Sequence, residues 1–184
     1  MISLNQNNNQ TMRTKNYKTM NTKDVLKGFN FTTSDDRLIA EKALWVDLPF
    51  VIFITGPVGS GKTTLARLIC QENQLQNAVC IGRQDLVGYQ ILRRSGRPVI
   101  IDNFKPVRQG SAADQELCAF LNDPTYPERR LGTTSYRRIG VYNPLVIFTS
   151  SSEKISSDLC RRIDLVIRLS DRPETFTKKV GGSK

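Results

Sequence analysis

No histidine occurs anywhere in the chain, and its four cysteines, Cys70, Cys80, Cys118 and Cys160, stand far apart with no C-x-x-C pair among them. A structural zinc site needs four clustered nitrogen and sulfur ligands, so zinc chemistry is not expected. Scattered cysteines read as reduced thiols in an intracellular, cytoplasmic protein. No apolar run approaches the length of a membrane span, so no membrane partner is expected. The opening stretch from Met1 to Gln10 has neither a basic start nor an apolar core and does not read as a secretory signal. There is no internal repeat. Acidic residues are also scarce: 17 Asp and Glu against 27 Lys and Arg leave a formal charge of +10. Such a surplus points to a polyanionic partner, nucleic acid ahead of a membrane surface, with a generic solubility charge as the bland alternative.

A chain of 184 residues suffices for one α/β domain with a real core. Residues 1–30 are rich in Asn, Thr, Lys and Gln, and read as a flexible polar and basic arm whose Lys15, Lys18, Lys23 and Lys27 are either phosphate contacts or solvated. The domain is expected over 31–172, followed by a basic tail over 173–184. Within it, Ser34 as N-cap with Asp35 and Asp36 in the first turn predicts a helix over 34–45. Apolar runs predict strands at 50–55, 78–81, 98–103, 144–149 and 165–169. Helices are expected from the loop after the first strand to about Asn73, then over 84–94, 112–121 and 157–162. Strands alternating with helices imply a three-layer α/β fold around a five-stranded parallel sheet.

Between the first strand and its helix lies Gly56-Pro57-Val58-Gly59-Ser60-Gly61-Lys62-Thr63, a G-x-x-x-x-G-K-[ST] loop. Three glycines let backbone N–H groups turn inward toward a triphosphate, and the helix that follows presents its positive end to the same anion. These eight residues and Thr64 form the expected nucleotide-binding set. Lys62 should reach the β- and γ-phosphates, and Thr63 should ligate Mg²⁺. A second strand must bring a carboxylate beside such a loop, and Asp102, at the end of Val99-Ile100-Ile101, is the candidate, unless it merely ends its strand. Asn103 follows it. An amide cannot act as a base, yet can orient a water, so hydrolysis is expected to be slow or partner-dependent. Thr149-Ser150-Ser151 offers hydroxyls to sense the γ-phosphate, although serines at strand ends are also ordinary turn formers. Between Glu128 and Val141, basic pairs flank a Gly-Thr-Thr-Ser turn, compatible with a β-hairpin or a basic surface loop.

In order, the loop, Val99-Ile100-Ile101-Asp102-Asn103, Val146-Ile147-Phe148-Thr149-Ser150-Ser151 and Asp158-Leu159-Cys160-Arg161-Arg162 resemble Walker A, Walker B, sensor 1 and arginine finger of an AAA+ P-loop ATPase. Within that superfamily the chain is most similar to superfamily 3 helicases and the helicase-like ATP-binding proteins of phages and mobile elements. The resemblance implies ATP and Mg²⁺ as cofactors, a ring or filament of identical subunits with ATP between them, and action on nucleic acid in replication, single-stranded DNA ahead of RNA. It implies Ser151 as the sensor, Arg162 as the finger with Arg161 second, and a channel hairpin whose Arg129, Arg130, Tyr136, Arg137 and Arg138 grip the strand. Asn103 and Ser151 depart from the family's usual acidic residue and asparagine, and the chain leaves no room for the C-terminal helical lid. Two other readings stay open, a nucleotide-gated loader or adaptor with little hydrolysis and a nucleotide kinase.

Overall fold

The computed structural model describes residues 22–46, 50–75, 78–81, 97–122, 125–129, 136–140 and 145–171. The arm up to residue 21, the helix expected over 84–94, Arg130 with the turn after it, and the tail from 173 lie outside these residues. Along the chain the elements are α1 (Thr22–Val25), α2 (Ser34–Ala43), β1 (Phe50–Thr55), α3 (Lys62–Glu72), β2 (Val79–Ile81), β3 (Val99–Ile101), α4 (Ala112–Asn122), β4 (Thr125–Arg129), β5 (Tyr136–Gly140), β6 (Leu145–Ser150), α5 (Ser157–Cys160) and β7 (Leu165–Arg168).

Five strands form one parallel sheet in the order β2-β3-β6-β1-β7. Right-handed crossovers then decide which face each helix covers. The step from β1 to β2 runs one way across the sheet, which places α3 on one face. The steps from β3 to β6 and from β6 to β7 run the other way, which places α4 and α5 on the opposite face. Side-chain alternation follows the same division. Ile52, Ile54, Ile100, Leu145 and Ile147 pack with Leu65 and Ile69 of α3 and Ala40 of α2. Phe53, Val99, Ile101, Val146 and Phe148 pack with Leu117 and Phe120 of α4 and Leu159 of α5. Each such side chain removed from water contributes about 1.5–3 kcal/mol, so both faces are held by burial.

Two expectations change at the start of the domain. Leu26 is fully buried in the α3-side core, with Val25 and Phe29 packed beside it, so the segment from Thr22 to Asn30 belongs to the domain rather than to a flexible arm. Lys27, read as either a phosphate contact or solvated, pairs with Asp24 on the surface. The N-cap of α2 is Thr33, not Ser34: its hydroxyl accepts from Asp36 N at 3.1 Å and donates to Asp36 Oδ2 at 2.7 Å. Asp36 is buried because its other oxygen accepts from the backbone N–H of Arg168 at 3.1 Å and lies 3.6 Å from the Arg168 guanidinium. That pairing, with Thr32 N donating to Arg168 O and Ser170 N to Asn30 O, closes the outer edge of β7 against further strand addition.

Helix α3 ends in an arrangement that favours glycine but uses glutamine. Leu75 N donates to Cys70 O and Gln74 N to Gln71 O, both at 2.9 Å, with Gln74 at φ 58°. This is the six-to-one and five-to-two bonding of a left-handed helix stop. Asn73, at the preceding position, holds the stop to α2 by donating to Ala43 O at 2.9 Å and accepting from Val46 N at 3.0 Å. Gln74 is exposed. Gln74→Gly is therefore expected to stabilise the fold by roughly 0.5–1 kcal/mol, since it relieves the left-handed strain without removing a contact. The measurement is a urea midpoint that rises at unchanged slope, and a lower midpoint would contradict it.

Candidate functional site

Strand β1 delivers the chain to Gly56, whose N–H donates to Ser150 O on the neighbouring β6 at 3.2 Å. A side chain cannot stand here: a Cβ on Gly56 would lie 2.5 Å from Leu169 O, at the end of β7. The loop then turns through Gly59 to Gly61, which caps α3 at φ 95° with no side-chain cap bond. No acidic residue occupies the first turn of α3, so its positive end is not neutralised from within the helix. Ser60 adds a second polar group in want of a partner, because its hydroxyl is buried with no hydrogen bond. Lys62 folds back over the loop, donating from Nζ to Gly56 O at 2.7 Å and to Pro57 O at 2.6 Å. Burial pushes its ammonium below the ordinary lysine range, and the Asp102 carboxylate partly offsets this. Val58 and Thr64 are exposed beside the loop.

Alternation along β3 points Ile100, and two residues on Asp102, toward the α3 side of the sheet; along β6 it does the same for Ile147 and Thr149. The two therefore meet. Asp102 Oδ1 accepts from Thr149 Oγ1 at 2.6 Å and from Thr63 Oγ1, in the first turn of α3, at 2.7 Å. Burial is the largest single influence on this carboxyl and pushes it up. The hydrogen bonds from Thr149 and Thr63, the backbone N–H of Asn103 and the nearby Arg67 charge together outweigh it, so Asp102 sits below its ordinary value. Asn103 adopts φ 54°, and its N–H donates to Thr149 Oγ1 at 3.0 Å. Phe104 then re-enters the core edge-on to Phe148, with ring centroids 5.1 Å apart, which fixes the exit from β3.

Of the three strand-end hydroxyls, that of Thr149 joins the carboxylate. Ser150 is buried and donates to Phe104 O at 2.8 Å, while Ser151 is exposed and outside this network. Arg67, one helical turn after Thr63, was not among the expected residues; the i to i+4 spacing on α3 was its signal in the sequence. Arg162 is held within the chain, with Nε donating to Asn122 Oδ1 at 2.9 Å and Nη1 to Asp158 O, whereas Arg161 is exposed. The basic segment is a hairpin that starts earlier than its sequence signal: β4 and β5 pair antiparallel, with Arg129 opposite Tyr136, Glu128 opposite Arg137 and Pro127 opposite Arg138.

Comparison with known proteins agrees with this geometry. Residues 50–91 match the family model for the CobW/HypB/UreG nucleotide-binding domain. Among solved structures, the Thermotoga maritima RuvB Holliday junction branch migration motor aligns with TM-score 0.54 at 20% identity, over 76% of this chain and 45% of that one. NtrX from Brucella abortus in complex with ADP aligns with TM-score 0.51 at 16% identity, over 80% and 40%. The JCV helicase aligns with TM-score 0.50 at 17% identity, over 76% and 41%. The chain thus spans less than half the length of each of these structures. No curated protein matches it. At such identities the likeness is one of fold: this is a P-loop NTPase fold carrying a nucleotide-binding loop. No helix among the described residues is long and apolar enough to cross a membrane.

Substitutions at two positions probe the Asp102 junction. Thr149→Val keeps the shape but removes a donor to Asp102 and the acceptor of Asn103 N–H, and is expected to cost about 1–3 kcal/mol. Because the folded-state value of Asp102 lies below its unfolded value, ionised Asp102 contributes stability that is complete above about pH 4 and is lost as the pH falls through the folded value. Loss of the Thr149 donor raises that folded value, so acid unfolding of Thr149→Val should begin at higher pH than in the wild type; an unshifted acid limb in a pH titration of stability would refute this. Asn103→Glu should destabilise by about 1 kcal/mol, since only glycine and, less readily, asparagine or aspartate accept a left-handed backbone, whereas Asn103→Asp should cost less. Denaturant midpoints of the two variants check the ordering.

Proposed function

We propose that the chain is an ATP-binding, Mg²⁺-dependent ATPase of the AAA+ type that assembles as a ring or filament of identical subunits and acts on nucleic acid, single-stranded DNA ahead of RNA, in phage, viral or mobile-element replication inside the cell. The observation that carries the reading is the convergence of an uncapped α3, an orphaned Ser60 hydroxyl and the Thr63–Asp102–Thr149 junction at the end of β1. These groups fit a nucleoside triphosphate. The open N–H groups and the Ser60 hydroxyl await an acceptor, and the Lys62 ammonium, now on two loop carbonyls, can exchange them for phosphate oxygens. Thr63 and Asp102 are an oxygen pair suited to Mg²⁺, which when bound offsets phosphate charge during transfer. Asp102, held below the ordinary carboxylate range, is ionised and ready for that role.

The partner is supported by the +10 charge and by the branch migration motor and the helicase among the structures of similar fold. In support of the same reading, Arg129, Tyr136, Arg137 and Arg138 belong to one antiparallel pair of strands, β4 and β5, and are residue types suited to a phosphate backbone and a stacked base; Arg130 would extend the same set. Asn103 favours a second reading, a nucleotide-gated loader in which the ATP state is itself the signal. Its amide can orient a water but not deprotonate it, and its left-handed backbone disfavours a glutamate in its place. A nucleotide kinase has less support, because Asp102 and Asn103 close a strand end and paired arginines stand beside the last strand.

Turnover per subunit should rise with protein concentration and again with single-stranded DNA, and Lys62→Ala should abolish both nucleotide binding and turnover. Turnover linear in protein and indifferent to DNA would refute the assembled ATPase. Tight ATP binding with no turnover, DNA present, would instead establish the loader.

A further inference from the structure

Along the face of α3 that follows Thr63, the residues Arg67, Cys70 and Gln71 succeed one another at spacings of three or four. Thr63 itself donates to Asp102 Oδ1 at 2.7 Å. One turn on, the Arg67 guanidinium donates to the Cys80 thiol of β2, and with Cys70, Gln71, Cys80 and Ile100 it lines a cavity of about 870 Å³. Cys80 pairs with Ile100 across β2 and β3, and Ile100 stands two residues before Asp102 on the same side of the sheet. Arg67 therefore lies between the Asp102 junction and the cavity. Among the described residues that line the cavity none is acidic, so no second carboxylate there competes for the Arg67 charge. Burial pushes the Asp102 carboxyl up, and the hydrogen bonds from Thr149, Thr63 and the Asn103 N–H, with the Arg67 charge, bring it below its ordinary value. On the loop side, burial lowers the Lys62 ammonium and the Asp102 charge opposes this. One carboxylate thus faces two cations of its own chain.

We infer that Arg67 is a positioning residue that serves as the counter-cation of Asp102 while no metal is bound, and so sets how strongly nucleotide affinity depends on Mg²⁺. This role rests on the nucleotide-binding reading of the loop. A nucleoside triphosphate without metal is strongly anionic, and Asp102 at the end of β3 repels it unless a cation stands beside that carboxylate. Lys62 is drawn away from Asp102 by the phosphates it binds, which leaves Arg67. ATP can then enter ahead of its metal. With Mg²⁺ at Thr63 and Asp102 the guanidinium is no longer needed there, and the cavity gives it room to withdraw toward Cys80 and Gln71. Arg67 touches no phosphate in this scheme and acts only through the carboxylate.

The test is equilibrium binding of a fluorescent ATP analogue to the full chain, in excess Mg²⁺ and in excess EDTA, with the ratio of the two dissociation constants as the readout. Arg67 is exposed, so its substitution leaves the core intact. Arg67→Gln should raise the ratio about tenfold or more, the scale on which a nearby unit charge acts on a carboxylate, by weakening the metal-free complex. Arg67→Lys keeps the charge and should return most of the wild-type ratio. In an Asp102→Asn background the ratio should no longer respond to Arg67→Gln, since the carboxylate through which the charge acts is gone. A purely structural loss would weaken both complexes alike and leave the ratio where it was. The role is overturned if Arg67→Gln leaves the ratio unchanged, if it moves the ratio equally in the Asp102→Asn background, or if wild type binds the analogue only in Mg²⁺. Wild type that binds the analogue under neither condition overturns the nucleotide-binding reading and this role together, whereas normal binding with a ratio indifferent to Arg67→Gln overturns the role alone.

Discussion

A single carboxylate oxygen ties three elements together. Asp102 Oδ1 receives the hydroxyls of Thr63 and Thr149, so the start of α3, the end of β3 and the end of β6 are pinned at one point. The sheet order makes this possible. Strand β6 lies between β1 and β3, and residues at matching heights on all three strands project toward α3. Everything proposed of the site depends on that point. If β3 slipped by one residue, Asp102 would turn to the α4 side and the loop would lose its only nearby carboxylate among the residues described.

Beyond the junction the same economy recurs. The exit of β3 is fixed by Phe104, by the bond from its N–H to Thr149 O and by the Ser150 hydroxyl on its carbonyl. The chain then runs through Gly110 into α4, which holds α5 by Asp114 at one end and Asn122 at the other. Hydrogen bonds at both ends of the segment from Phe104 to Gly110 thus stand between the carboxylate beside the loop and the turn that carries the arginine pair.

Most of the fold was legible in the sequence. The apolar β-branched runs are long enough, and the Gly-rich loop distinctive enough, that all five strands of the main sheet and the loop fall where expected, within a residue or two. What was not legible depends on direction and distance. Which hydroxyl of Thr149-Ser150-Ser151 meets Asp102 follows from strand parity only once the pairing of β6 with β3 is known. That Arg162 is tied to Asn122, 40 residues away, leaves no trace in local spacing. Leu26 was overlooked because the apolar residues beside it, Val25 and Phe29, are too few to give a periodic signal until the core they fill is seen.

The left-handed backbone of Asn103 has a consequence for how such a chain can drift. The residues tolerated at this position are sorted first by torsion angle and only then by chemistry, so glycine, asparagine and aspartate are neighbours in sequence space while glutamate is remote. A lineage that acquired a longer acidic side chain here would first have to reshape the turn after β3 and release the Asn103 N–H from Thr149. The backbone thus acts as a ratchet on the water-facing side of the site, and its setting can be read from one dihedral.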